Sequence, residues 1–303
     1  MPRKSSEQIL AELQAEPDGR LTRNVGIWSL EKLAMLLLYF GAFSTACRDA
    51  GGGYYVDGMA GPGLCKVRNA QLSPQVVWGS ALLALRTTPK LRHGFLMELK
   101  PRKAETLRTR CEPFGNRASV VRGDVNADLV PLLRSELPRR APAFCLLDPE
   151  GPELQWRTVT GISRLPNRVR KPELLILFPL DMAILRLLTV HEEMADEDVE
   201  RIDLMFGDEG WRDIYRARLE GGIMPNTAKQ MYLDLYTNNV RKLGYKVVLA
   251  KSIVAPRSLG AARRPMYHLV FATDHPAGQR IMQDVFERPY VLGYPVSGQT
   301  SMF

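Results

Sequence analysis

The stretch YYVDGMAGPG, residues 54–63, decides the fold of this chain. A short hydrophobic run ends in an acidic residue, Asp57, and a glycine-rich turn follows at once. This order is typical of the first strand and cofactor loop of a nucleotide-binding α/β sheet, where glycine lets the backbone approach a ligand closely. An ordinary strand that ends in a turn has the same local pattern, so the rest of the chain must decide between the two.

Seven short apolar runs predict the strands of one sheet. Most are uninterrupted, as expected of strands that are covered on both faces, and helical patterns separate the first five. The last two are too close in sequence for a helical crossover, which predicts that they pair antiparallel. The runs are YYVD (54–57), HGFLMEL (93–99), ASVVRG (118–123), AFCLLD (143–148), ELLILFP (173–179), KVVLAKSIV (246–254) and MYHLVFATD (266–274).

This layout predicts an α/β fold with a doubly wound, mostly parallel sheet of the Rossmann-like methyltransferase type, ending in an antiparallel hairpin. Residues 51–180 and 244–303 are expected to form that domain. Residues 1–50 should add N-terminal helices packed on the core, among them a long apolar one. Residues 181–243 are too long for one crossover helix, so we expect an inserted helical cap over the open end of the sheet.

The composition is that of a globular chain, with 45% hydrophobic and 24% charged residues. The longest strongly apolar run, 33–43, is shorter than the ~20 residues that a membrane helix needs, and the charged N-terminus has no signal-peptide core. We therefore expect a cytoplasmic protein without a membrane partner. The four cysteines form no CxxC pair and the four histidines are dispersed, so no metal site is expected.

Acidic residues end four successive predicted strands, and parallel strands bring such ends to one edge of the sheet. Glu98 is placed to accept hydrogen bonds from ribose hydroxyls, and Asp124 from an adenine amine. Each acid alone is also typical of a turn or helix cap. Together with the glycine loop they favour S-adenosylmethionine as cofactor. The candidate cofactor-binding residues are Asp57, Gly58, Ala60, Gly61, Gly63, Glu98, Leu99, Gly123, Asp124 and Asp148.

Two other nucleotide sites fit less well. The loop lacks the GxxxxGK[ST] pattern that cradles phosphates, and it reads G-x-x-G-x-G rather than the dinucleotide G-x-G-x-x-G. Asp57 and Glu98 are also farther apart than the roughly 20 residues usual in a compact unit. The surplus predicts an insertion at 64–78, after which Ser80 is expected to cap a helix.

Several segments also match the pattern of a known family. They are Trp28 and Lys32 in the long apolar helix, DGMAGPG (57–63), GSA (79–81), LLDPEG (146–151) and MYHLVFATDHPAGQRIM (266–282). On these segments the chain resembles the three-Cys-motif partner (TcmP) family, with Ala81 where proline is usual. The resemblance implies a methyltransferase-like fold that binds S-adenosylmethionine. It also implies a radical-SAM-like partner protein that carries the three-cysteine motif.

The turn after the fourth strand holds the candidate catalytic residues Asp148, Pro149 and Glu150. In amine methyltransferases an analogous DPPY-type turn accepts hydrogen bonds from the target amine, and its aromatic residue stacks on a flipped base. Asp148 and the Pro149 carbonyl suit the first role, and Glu150 is a candidate general base. The stacking aromatic is missing here, because Glu150 and Gly151 occupy its place.

A formal charge of +8 permits a polyanionic partner such as DNA or RNA. The leading hypothesis is a methyltransferase acting on nucleic acid or a nucleotide-like substrate. The alternative is a non-catalytic, methyltransferase-fold accessory protein for the three-cysteine partner. A nuclease is disfavoured because no carboxylate–lysine metal motif is present. Candidate nucleic-acid contacts in predicted loops are Arg164, Arg168, Arg170, Arg263 and Arg264.

Overall fold

The computed structural model describes residues 4–68, 74–189, 194–255 and 265–290. Ten strands lie in these residues: β1 Arg23–Val25, β2 Tyr54–Asp57, β3 Leu64–Val67, β4 Val76–Trp78, β5 His93–Glu98, β6 Ala118–Arg122, β7 Ala143–Leu147, β8 Glu173–Phe178, β9 Val247–Val254 and β10 Pro265–Thr273. The helices are α1 Ser6–Leu13, α2 Ser29–Ala46, α3 Ser80–Arg86, α4 Pro101–Cys111, α5 Leu129–Glu136, α6 Trp156–Ser163, α7 Leu185–Leu187, α8 Asp196–Phe206, α9 Gly210–Leu219, α10 Pro225–Lys242 and α11 Pro276–Glu287.

Seven strands form the main sheet in the order β6-β5-β2-β7-β8-β10-β9. The pairs among β6, β5, β2, β7 and β8 are parallel, whereas β10 runs antiparallel to both β8 and β9. The order reverses on either side of β2, so the crevice at its carboxyl end is the switch point of the sheet. These pairings confirm the predicted Rossmann-like methyltransferase fold and its antiparallel hairpin.

The strands are apolar on both sides because helices cover both faces of the sheet. On one face α1–α4 and α11 pack against side chains such as Tyr55, Phe144 and Phe271. On the other face α5, α6 and α8–α10 pack against Val56, Cys145 and their neighbours. The helices between β8 and β9 thus share their hydrophobic core with one face of the sheet.

Helix α2 is buried along most of its length, which explains why its sequence is apolar almost all round. It packs against α1, α3 and α11 as well as against the sheet. Tyr39 and Phe40 meet Phe144 with ring centroids 4.8 and 5.8 Å apart. The N-terminal segment is therefore part of the main core.

Within the predicted insertion at 64–78, strands β3 and β4 form an antiparallel pair, and β3 also pairs in parallel with β1. The sequence had not predicted this second, three-stranded sheet. The prediction that Ser80 caps α3 is wrong, because Gly79 is the cap residue and the Ser80 hydroxyl donates instead to Asp57. Within the described residues, no helix combines the length and apolar character needed to cross a membrane.

Candidate functional site

The strand register places the four acids at the carboxyl edge of the sheet, at different heights. Asp57 pairs with Leu96 and Leu146, so Glu98 and Asp148 each lie two residues farther along their strands. Glu98 in turn pairs with Arg122, and Asp124 is two residues beyond that level. Asp124 lies beyond the end of β6, in the turn that follows Arg122.

Asp57 is fully buried beneath the glycine loop. Its carboxylate accepts hydrogen bonds from the Tyr55 hydroxyl at 2.6 Å, the Ser80 hydroxyl at 2.7 Å and the backbone N–H of Met59 at 3.3 Å. The pKa of Asp57 is raised to about 6, chiefly by burial and also by the negative charge of Asp148, while these hydrogen bonds limit the rise. Asp57 therefore titrates around pH 6, well above an ordinary carboxyl.

Asp148 is buried as well, at 4% exposure, but it is paired with two cations. Lys32 Nζ lies 2.5 Å and Arg23 Nη1 3.3 Å from its Oδ2. Burial alone raises the pKa of Asp148, but attraction by Lys32 and Arg23 outweighs it, so the pKa lies below the ordinary value. Its Oδ1 has no hydrogen-bond partner among the described residues, which makes it an unsatisfied buried acceptor.

A small cavity of about 40 Å³ lies beside this ion pair. It is lined by Arg23, Lys32, Ser80 and Asp148 and by the loop at Gly61–Gly63. A volume of this size accommodates a water molecule or a small polar group. It is far below the ~300 Å³ at which pockets for drug-sized ligands begin, so it cannot enclose a nucleoside.

Glu98 joins the ends of β2, β5 and β6. Its carboxylate accepts from the backbone N–H of Gly61 at 2.9 Å and of Lys100 at 2.8 Å. Its own carbonyl accepts from Gly123 N–H at 3.3 Å. The next residue, Leu99, is 58% exposed, so an apolar side chain faces solvent at this edge.

The glycines of the loop are required for different structural reasons. A Cβ on Gly58 would lie 2.9 Å from methyl carbons of both Val125 and Leu147, so the core itself requires glycine there. Gly61 and Gly63 have φ of 65° and 94°, which favours glycine at both positions. Around Gly61 the nearest atom to an added Cβ is 3.9 Å away, in Arg23. Only at Gly61 does the loop leave space beside its backbone.

Asp124 uses one carboxylate oxygen within its own turn, accepting from the backbone N–H groups of Asn126 and Ala127. Asn126 then links this turn to the one after β7: its Oδ1 accepts from Gln155 N–H and from the Thr158 hydroxyl, each at 2.9 Å. Asp124 thus anchors a turn at the site edge and does not share the Asp57–Asp148 cluster.

Pro149 is buried, and Glu150 is exposed at 62% of its side chain while pairing with Arg23 Nε at 3.2 Å. The backbone N–H groups of Glu150 and Gly151 both donate to the Glu153 carboxylate at 2.6 Å. The turn that carries the candidate catalytic residues is therefore held rigidly by Glu153.

Three of the predicted nucleic-acid arginines lie in the described structure. Arg164 is exposed at the end of α6, and Arg170 is exposed just before β8. The Arg168 guanidinium donates to the carbonyls of Pro138, Ala141 and Arg170. Arg168 therefore lies by the amino ends of β7 and β8, opposite the acids. Arg263 and Arg264 lie outside the described residues.

Sequence reasoning missed Arg23, although it contacts both Asp148 and Glu150. No local pattern marks Arg23, because its partner Asp148 is 125 residues away. Lys32 had been noted only through the family resemblance. Among the described residues no group of three or more His, Cys, Asp or Glu side chains is arranged to hold a metal, and all four cysteines are buried and free.

No known family model matches this chain, and no curated protein matches it in sequence. Membership of the three-Cys-motif partner family therefore stays a prediction. Among solved structures, the chain is similar to a Legionella pneumophila protein of family DUF519, with 12% identity, 84% of this chain and 89% of that chain covered, and a TM-score of 0.49.

Two further structures show a comparable likeness. The METTL16 MTase domain is 12% identical over 89% of this chain and 80% of that chain, with a TM-score of 0.45. The M. jannaschii TYW2 structure in complex with AdoMet is 10% identical over 80% and 74%, with a TM-score of 0.36. TM-scores below 0.5 at such identity assign no function to this chain.

Proposed function

We propose that this protein is an S-adenosylmethionine-dependent methyltransferase that acts on an amine of a nucleic acid or nucleotide-like substrate. The observation that carries the proposal is the position of Glu98. Beside the switch point of a methyltransferase-type sheet, its carboxylate accepts from Gly61 N–H of the glycine loop, and its backbone carbonyl accepts from Gly123 N–H. Ligands of open α/β sheets bind at this place.

The residues at this edge fit the adenosine part of the cofactor. A carboxylate offers about four acceptor positions, and Glu98 uses two of them for backbone N–H groups, which leaves capacity for ribose hydroxyls. Leu99 supplies an exposed apolar contact for a base. The described bonds of Asp124 use only its Oδ1, which leaves Oδ2 for an adenine amine.

The cavity beside Asp148 is too small for a nucleoside. We therefore place the adenosine part of the cofactor at the solvent-exposed edge beside Leu99. The cavity has room only for a small polar group, such as an amine of the substrate. Such a group would contact Asp148, whose buried Oδ1 has no hydrogen-bond partner among the described residues.

The bound cofactor would supply an electrophilic methyl group. The chain's own contribution is to position the acceptor, which suits a displacement that depends mainly on alignment. Lys32 and Arg23 keep Asp148 ionised, and an ionised carboxylate accepts a hydrogen bond from an amine. A carboxyl with a lowered pKa is a weak base, so Asp148 orients the amine rather than storing its proton.

A second candidate is a non-catalytic accessory protein with the same fold. The small volume of the cavity beside the candidate catalytic turn favours it. In either case, association with a radical-SAM-like protein bearing a three-cysteine motif is part of the proposal. It rests on the resemblance of residues 57–63 and 79–81 to the three-Cys-motif partner family.

Calorimetry with S-adenosylmethionine tests the enzyme proposal. We expect saturable binding that Glu98→Ala weakens about 10- to 100-fold, as the loss of hydrogen bonds to a charged group predicts. Leu99→Glu changes an exposed residue and should weaken binding without unfolding the protein. Glu105→Ala changes an exposed acid on α4 that pairs with Arg108; it is the matched control and should bind like the wild type.

Absence of binding to the folded wild-type protein would contradict the cofactor proposal. Binding without transfer of a radiolabelled methyl group to DNA, RNA or protein acceptors would favour the accessory alternative. Transfer that Asp148→Asn abolishes, with cofactor binding retained, would support the orienting role of Asp148.

A further inference from the structure

A groove of about 690 Å³ lies between α5, α6 and α8, on the face of the sheet opposite α2. Arginines from α5 and from the α6 segment line one wall: Arg134, Arg157 and Arg164. Acidic residues at the end of α8 and in the following turn line the other wall: Asp203, Asp208 and Glu209. The lining therefore holds three positive and three negative side chains.

The acids of the groove are already engaged elsewhere. Asp203 accepts from Trp211 Nε1 at 2.8 Å and forms a two-pronged ion pair with Arg212. Asp208 accepts from Gly210 N–H at 3.0 Å and from Asn239 Nδ2 at 2.8 Å. Glu209 lies 3.9 Å from the same Arg212. Each acid is therefore held within its own wall rather than by the arginines opposite, and Arg212 offsets one of the three negative charges.

The three arginines have no such partners. All are exposed, and their guanidinium groups make no hydrogen bond or ion pair with any other residue in the described part of the chain. Arg157 and Arg164 are seven residues apart on one helical segment, which places them on the same face about 10 Å apart along its axis. The groove thus presents a row of free, planar donors suited to phosphate oxygens.

The floor of the groove is rigid. The Trp156 ring packs so closely on Gly207 that a Cβ there would lie 2.0 Å from it, and it meets Tyr236 edge-on at 5.7 Å. Gly161 allows α6 to approach Val130 of α5, where an added Cβ would lie 2.7 Å away. Trp156 is thus a packing anchor, and the arginine row is held on helices that cannot easily separate.

One end of the groove is linked to the candidate site by hydrogen bonds. Gln155 lines its upper end, and its backbone N–H donates to Asn126 Oδ1. Asn126 N–H in turn donates to Asp124 at the carboxyl edge of the sheet. The amino end of α6 therefore lies beside the turn that carries Asp124.

We propose that this groove binds the phosphate backbone of a single-stranded nucleic acid whose base reaches the candidate site. The inference rests on the proposed function for the role of that base, but the binding itself does not. A concave, positively charged groove that tracks a backbone is the usual solution for single strands. The guanidinium groups offer paired N–H donors that match phosphate oxygens, and successive phosphates of one strand can engage several of them.

The test is fluorescence anisotropy with labelled single-stranded RNA and DNA oligonucleotides at several salt concentrations. The triple variant Arg134→Gln, Arg157→Gln, Arg164→Gln should weaken binding of the preferred strand by about tenfold or more. At about 0.7 per phosphate contact on a single strand, it should also reduce the slope of log K against log salt by about 2. The variants change exposed side chains only, so the fold should be retained.

The control removes charge elsewhere: Arg48→Gln with Arg102→Gln replaces exposed arginines on the opposite face. It should leave both affinity and slope near the wild-type values. Three results would overturn the proposal: no oligonucleotide binding, equal losses in the triple variant and the control, or polyglutamate competing as well as the oligonucleotide. The preferred strand, RNA or DNA, identifies the substrate.

Calorimetry with S-adenosylmethionine on the same triple variant separates this inference from the proposed function. Retained cofactor binding with lost oligonucleotide binding supports the groove as a distinct subsite. Oligonucleotide binding that depends on the three arginines, in a protein that binds no cofactor, would support the groove and contradict the methyltransferase proposal.

Discussion

The buried carboxyl of Asp57 predicts an unusual dependence of stability on pH. Its pKa is raised from 3.8 to about 6, mainly by burial. Between these values the folded protein holds a proton that the unfolded chain releases. Asp57 therefore stabilises the fold fully below its unfolded pKa, and this contribution is lost as pH rises through about 6. Most acids in folded proteins behave in the opposite way.

The size of the effect follows from the shift in pKa. A difference of about 2 units at 1.36 kcal/mol per unit amounts to roughly 3 kcal/mol. Most of this, about 2 kcal/mol, falls between about pH 4 and pH 8, since the unfolded carboxyl has begun to ionise at the lower limit. Other acids also titrate in this range, so the contribution of Asp57 must be isolated by difference.

The measurement is urea unfolding of the wild type and of Asp57→Asn across this pH range. The variant keeps an oxygen that can accept from Tyr55 and Ser80, but it does not titrate. We expect the free energy of unfolding of the wild type, relative to the variant, to fall by about 2 kcal/mol from pH 4 to pH 8. In Ser80→Ala the fall should shift to higher pH, because that variant loses a hydrogen bond to the ionised form.

A difference that stays constant with pH, or that rises with pH, would refute the reasoning. The first result would mean that Asp57 has the same pKa in the folded and unfolded states. The second would mean that its hydrogen bonds outweigh its burial.

Two further predictions concern the ion pair of Asp148 and the packing around Gly58. Lys32→Met removes the closer cation from buried Asp148 and should lower the free energy of unfolding by about 3–5 kcal/mol, measured by urea denaturation. Combining Lys32→Met with Asp148→Asn should recover part of that loss. If Lys32→Met alone costs less than about 1 kcal/mol, the prediction is wrong and solvent screens the pair. Gly58→Ala places a Cβ 2.9 Å from two neighbouring side chains and should cost about 1–3 kcal/mol in thermal unfolding. Gly41→Ala, with no atom within 4 Å of the added carbon, should be neutral or stabilising by up to about 1 kcal/mol, and equal costs at both glycines would contradict the account.

The main sheet was predictable from the sequence because its strands are buried on both faces. Uninterrupted apolar runs such as ELLILF, bounded by charged or turn residues, leave little ambiguity, and β8 covers Glu173–Phe178 as expected within one residue. The antiparallel hairpin followed from the shortness of its connection. Local composition therefore carries most of the information about this part of the fold.

The second sheet was not predictable in the same way. Strand β1 is only Arg23–Val25, with the sequence RNV, and it has neither an apolar run nor an alternation. It is a strand because the edge of β3 pairs with it. Such short strands depend on a partner that the local sequence does not reveal.

The same limit applies to the candidate site. The positions of Asp57, Glu98 and Asp148 at strand ends could be read from the sequence, but their partners could not. Lys32 is 116 residues from Asp148, and Ser80 is 23 residues from Asp57. The environment of each carboxylate, and hence its pKa, is set by these distant contacts. The sequence shows where the acids lie. The tertiary contacts explain why the pKa of Asp57 is raised and that of Asp148 is lowered.

The central claim is that an adenosine moiety binds at the edge formed by Glu98, Leu99 and Asp124. A crystal structure of the protein with S-adenosylmethionine or S-adenosylhomocysteine tests it most directly. The account predicts density for the ribose within hydrogen-bond distance of the Glu98 carboxylate and for the adenine beside Leu99. A saturated crystal with an empty edge, or with the nucleoside bound elsewhere on the protein, would contradict it.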